Sequence, residues 1–175
     1  MKFTRTPVEG AVLVDLEPIG DERGFFAMAF SDDAFRAEGL EDRFVQAKTS
    51  LSERQGTLRG LHYQVEPSQE VKLVRCIRGA LWDVVLDLRP ESSSFGCWFG
   101  AELSAQNRRA FYIPRGCAHG FITLSEQAEV FYFVSAHYDP ACERGVRWDD
   151  PRFAIEWPAT PTVVSDRDRA HPDFK

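Results

Sequence analysis

The chain has 175 residues, 43% of them hydrophobic and 13% aromatic, which is enough apolar material for a packed core and excludes the disordered, collagen-like and coiled-coil classes. That length fits a single domain over 1–175, with an N-terminal arm and a C-terminal tail that wraps the surface. A formal net charge of −6 argues against nucleic acid or an anionic membrane as partner, while a local arginine cluster remains able to hold a small anion.

The opening MKFTRTPVEG lacks the apolar core of a signal peptide, and no apolar run approaches the ~20 residues of a membrane span. Cys76, Cys97, Cys117 and Cys142 are scattered without a CxxC pair, so reduced thiols and a cytoplasmic location are expected. SDDAFRAEGL predicts a helix capped by Ser31 or Asp32 and ended by Gly39. From residue 44 to about 134, short β-rich runs alternate with turn residues. KLVRCIRGALWDVVLDLR predicts two strands joined at Arg78-Gly79, and FGCWFGAELS, RRAFYIP and AEVFYFVSAHY predict more. A second helical turn is expected after Ser104, and the tail from Trp157 onward is rich in Pro, Asp and Arg. The pattern predicts an all-β antiparallel sandwich or barrel with few short helices.

Polar groups inside apolar strands require an explanation, because an unpartnered buried charge is costly. TLRGLHYQ sets His62 between Leu61 and Tyr63, and Lys72, His119 and Tyr132 sit in comparable runs. Each alone reads equally as structure: a satisfied core histidine, a snorkelling lysine, a turn cap, a core phenol with its hydroxyl at the rim. Together they supply a base, a cation and an acid. IPRGCAHGF has the PxGxxH arrangement of the second cupin motif, whose histidine binds metal in many cupins. The matching first motif here reads GLHYQ, with no HxH pair, and only 4 histidines are present, so no metal or other cofactor is expected. GxSxG, P-loop and GxGxxG motifs are lacking, which leaves cofactor-free proton transfer.

DERGFF, GTLRGLHYQ, KLVR, DVVLDLR, FGCWFGAELSAQN, YIPRGCAHGF, ERGVRWDDP and IEWP occur in this order, and in that order they resemble the dTDP-4-dehydrorhamnose 3,5-epimerase family from about Val12 to Asp168. The resemblance implies a cupin-fold jelly-roll barrel, no metal, and a homodimer with exchanged strands. It implies His62 as base, Asp168 as the carboxylate that fixes its tautomer, Tyr132 as acid, and Lys72 facing the oxygen of an enolate. It assigns Arg59 and His119 to substrate contacts, Arg23 of DERGFF to the nucleotide diphosphate with Phe26 in the same arm, Tyr138 to stacking on the thymine ring, and Gln46, Lys48 and Glu143 to further substrate contacts.

The expected substrate is therefore an NDP-4-keto-6-deoxyhexose, with dTDP as carrier, epimerised at C3, C5 or both in deoxysugar biosynthesis. The same base and acid serve a 3-only or 5-only epimerase, and a non-catalytic sugar-binding cupin is the alternative from another class. Three departures from the family pattern stand out: Met28 in place of Glu, Lys48 in place of Asn with a one-residue insertion before GTLRG, and Phe133 after the tyrosine.

Overall fold

A computed structural model describes residues 1–175. Its strands are β1 (Lys2–Arg5), β2 (Val12–Asp15), β3 (Ile19–Asp21), β4 (Gly24–Phe26), β5 (Gln46–Ser52), β6 (Thr57–Gln64), β7 (Lys72–Arg78), β8 (Ala80–Asp87), β9 (Trp98–Ser104), β10 (Ala110–Ile113), β11 (Cys117–Thr123), β12 (Ala128–Val134), β13 (Glu143–Gly145) and β14 (Val163–Val164). Two short helices, α1 (Asp32–Ala37) and α2 (Asp166–Arg169), complete it. One sheet runs β1-β2-β10-β7-β12-β5. The other runs β13-β6-β11-β8-β9, with β14 added in parallel to β6. Every other pairing is antiparallel, and the two sheets face each other without closing into one continuous barrel.

Alternation along the strands builds the core between the sheets. Leu13, Val74, Phe111 and Val130 from one sheet meet Leu81, Val85, Leu103 and Phe121 from the other. A second cluster covers the outer face of the first sheet, where Phe35 of α1 packs with Val12, Val14 and Leu73 and stacks edge-on against Phe3. Ser31 caps α1, its hydroxyl accepting from the Ala34 amide, and Gly39 at φ 70° ends it as expected.

The structure differs from expectation in two places. Residues 105–107 form a turn, not a helix: Asn107 Oδ1 accepts from the Ser104 amide while Ser104 Oγ accepts from the Asn107 amide, and this closed pair satisfies the backbone. The tail does not merely wrap the surface. It pairs β14 with β6 and turns through α2, which buries Asp168 to 4% exposure. No helix is long and apolar enough to cross a membrane.

Candidate active site

Arg59 and His62 lie three apart on β6, a spacing that would put them on opposite faces of a regular strand. A bulge rephases the strand. Against β11, His119 pairs with His62 and Phe121 with Arg59, so three steps on β6 match two on its partner. Gly60 sits in the bulge at φ 110°, and a Cβ there would come within 2.7 Å of Gly120 Cα and of the His119 carbonyl oxygen. Only glycine fits. The RGLH segment thus turns both Arg59 and His62 into one cavity of about 490 Å³ between the sheets.

The tail supplies the partner of His62. Ser165 caps α2 by accepting from the Asp168 amide at 3.1 Å, which aims the carboxylate inward. Asp168 Oδ1 stands 2.6 Å from His62 Nε2, and Oδ2 accepts from the Gly60 amide at 3.2 Å. Burial pushes the Asp168 carboxyl up, but the hydrogen bond and charge of His62, with the Gly60 and Ser165 contacts, outweigh it and hold its pKa below the usual range. An anionic Asp168 favours the tautomer of His62 with its proton on Nε2, leaving Nδ1 free to accept one.

The facing sheet contributes alternate residues, Lys72 and Val74 from β7 and Val130 and Tyr132 from β12, to the same cavity. Burial raises the Tyr132 pKa, the negative Glu70 raises it further, and Arg59 opposes them. Lys72 Nζ lies 3.3 Å from Glu70 Oε1, both side chains being about nine-tenths buried, and donates to the His62 carbonyl oxygen at 3.3 Å. His119 Nε2 lies 2.6 Å from Asp83 Oδ1, close enough for an ion pair though out of line for a hydrogen bond.

An adjoining recess of about 190 Å³ is lined by Lys48, Tyr138, Glu143 and Glu70 together with His62, Lys72 and Tyr132. Lys48 is the cross-strand neighbour of Tyr132, and its Nζ stands 5.8 Å from the Tyr138 ring centre. The Tyr138 hydroxyl donates to Glu143 Oε2 at 2.5 Å, and Arg167 of α2 pairs with the same oxygen at 2.5 Å.

Of the residues singled out in the sequence, His62, Asp168, Tyr132, Lys72, Arg59 and His119 therefore converge on one cavity, and Lys48, Tyr138 and Glu143 on its extension. Three do not converge within one chain. Arg23 and Phe26 ride on the exposed β3–β4 hairpin, where Arg23 pairs with Asp21, and Gln46 lies outside both linings with its buried Oε1 unpartnered. Sequence reasoning missed Asp83, Glu70 and Arg167. Asp83 carried a readable signal, a carboxylate inside the apolar ALWDVV run, whereas Glu70 and Arg167 lie in polar segments that signal nothing.

A histidine–carboxylate pair on one sheet and a protonated phenol on the other, around a shared cavity, form an acid–base site suited to moving protons on a bound molecule. A family model described as dTDP-4-dehydrorhamnose 3,5-epimerase matches residues 5–175. A protein of that name from Methanothermobacter thermautotrophicus is 45% identical over 171 residues, covering 96% of this chain and 91% of that one. A dTDP-4-dehydrorhamnose 3-epimerase from Streptomyces niveus is 41% identical, covering 97% and 82%. The crystal structure of the Bacillus anthracis 3,5-epimerase with TDP and PPi bound superposes at a TM-score of 0.94, with 39% identity and 99% of each chain covered. The chain belongs to the dTDP-4-dehydrorhamnose 3,5-epimerase family, whose members are isomerases of cupin fold.

Proposed function

We propose that this protein epimerises an NDP-4-keto-6-deoxyhexose, carried on dTDP, at C3, C5 or both, in deoxysugar biosynthesis of the dTDP-L-rhamnose kind. The observation that carries the reading is that the His62–Asp168 pair and Tyr132 enter one cavity from opposite sheets. A C4 ketone acidifies the hydrogens at C3 and C5. His62 takes one of them, and the C–H electron pair moves into the ring as an enolate. Asp168 stabilises the imidazolium, and Lys72, supported by Arg59 and His119, faces the oxygen where negative charge develops. Tyr132 then returns a proton to the opposite face; its phenolate regains one from solvent, and the His62 imidazolium releases to solvent the one it took.

The nucleotide occupies the recess beside Tyr138, Lys48 and Glu143, and the TDP bound to the Bacillus anthracis relative supports dTDP as the carrier. Arg23 and Phe26 complete this subsite from a second copy, with Gln46 as a further contact, in a homodimer that exchanges the hairpin arm. The exposure of Ile19, Phe25, Phe26 and Met28 on and beside that hairpin supports the exchange. Residues 1–175 act as one unit in the cytoplasm, a location supported by four unpaired thiols. The test is proton NMR of dTDP-4-keto-6-deoxyglucose with the protein in deuterated water. Deuterium entering C3, C5 or both, with inversion, supports the reading and assigns the position; binding without exchange overturns it in favour of a sugar-binding protein.

A further inference from the structure

His171, beyond α2, takes no part in the acid–base scheme, yet it stands against its centre. Gly145 of β13 is the cross-strand partner of His62, so a side chain there would project beside the histidine from the same face of the sheet. The His171 ring occupies that place: a Cβ on Gly145 would come within 2.0 Å of His171 Nε2. This nitrogen is buried and has no hydrogen-bond partner, a condition that is costly to fold and calls for an explanation. The His62 and His171 rings are 6.4 Å apart at their centres and inclined at 72°. One donor atom each from His62, Asp168 and His171 lie within 4.8 Å of one another.

We propose that His62, Asp168 and His171 form an inhibitory site for a borderline divalent cation of the Zn²⁺ type, which blocks the enzyme by capturing its base. Two imidazoles and a carboxylate, with a fourth position open to the cavity, are a donor set that zinc accepts and that oxygen-seeking Mg²⁺ and Ca²⁺ do not. Zinc bonds of about 2.0–2.2 Å set tetrahedral donors roughly 3.4 Å apart. The cation therefore draws His171 inward by on the order of 1 Å and opens the 2.6 Å contact between His62 and Asp168. It replaces the proton that these two groups share, which leaves to solvent, and no electron is transferred. The neighbouring Arg167 does not oppose the ion as a bare charge, since it is paired with Glu143.

Binding is independent of the proposed reaction; only the inhibition rests on it. Chelator-treated protein is titrated with Zn²⁺ by calorimetry without substrate, and with Co²⁺ under visible absorption. The expected result is one Zn²⁺ per chain at about micromolar Kd or tighter, with the intense bands of four-coordinate Co²⁺. His171→Ala, which lies outside the catalytic set, keeps the parent rate of sugar deuteration, binds Zn²⁺ more than tenfold more weakly, and escapes zinc inhibition. Absence of stoichiometric binding, equal zinc affinity in parent and variant, or the weak spectrum of six-coordinate Co²⁺ overturns the site. A protein that binds zinc through His171 but turns over no keto sugar sinks the functional reading and leaves the site standing.

Discussion

His62 and Asp168 are 106 positions apart, yet their side chains meet at 2.6 Å, because the capped turn of α2 delivers the carboxylate to the bulge that carries the histidine. Their separation makes the pair testable apart from the fold. Asp168→Asn keeps the shape but removes the charge that stabilises an imidazolium, so sugar deuteration is expected to fall by roughly 10²-fold or more. Nucleotide affinity, measured by calorimetry, is expected to change less than about twofold.

Gly60 permits that bulge. Gly60→Ala places a methyl group against the backbone of Gly120 and His119 at a positive φ, and it is expected to cost on the order of 1–3 kcal/mol. The discriminating measurement is a comparison with Gly39→Ala, also at positive φ but with open space around its Cβ. Both lower Tm, and only Gly60→Ala also lowers kcat, because only there does the backbone carry Arg59 and His62.

Glu70 faces both the lysine and the phenol. Burial is the first cause that raises Tyr132, and the Glu70 charge adds to it while Arg59 opposes it. Glu70→Gln removes that charge, so the Tyr132 pKa falls and the phenol loses its proton at lower pH. The alkaline limb of inversion is expected to move to lower pH, measured from kcat against pH. An unmoved limb would reduce Glu70 to a tether for Lys72.

Asp87 is buried at the end of β8, where burial raises its pKa but the Arg89 guanidinium and the Ser92 and Ser94 hydroxyls outweigh it and bring it well below the usual range. A carboxyl with a lower pKa folded than unfolded contributes stability that is fully present above the unfolded value near 3.9 and is lost as pH falls below it. Asp87→Asn is therefore expected to cost ~3 kcal/mol at neutral pH, and the difference in Tm between parent and variant is expected to shrink below about pH 4.

Much of the sheet framework was legible. The run KLVRCIRGALWDVVLDLR becomes β7 and β8, with the turn at Arg78-Gly79, because a β-rich composition and a glycine turn are local signals. The first four strands were not foreseen. β2 is short and buried from Val12 to Val14, and β3 and β4 pair only with each other, so neither segment shows a sustained alternation. His62 was legible as an oddity in an apolar run, but the reason that it shares a face with Arg59 was not. That depends on a register shift against β11, a contact made by residues nearly 60 positions away. Glu70 and His171 were illegible for the same reason: each is an ordinary polar residue until the fold sets Glu70 near Tyr132 and His171 against Gly145.

The central claim is that His62 removes a proton and Tyr132 returns one from the other side. One measurement tests both halves: proton NMR in deuterated water of the keto sugar with parent, His62→Ala and Tyr132→Phe, following deuteration and inversion at each carbon together. The account predicts that His62→Ala shows neither, and that Tyr132→Phe still exchanges hydrogen for deuterium with retention but does not invert. Exchange that persists without His62, or inversion that persists without Tyr132, would contradict it.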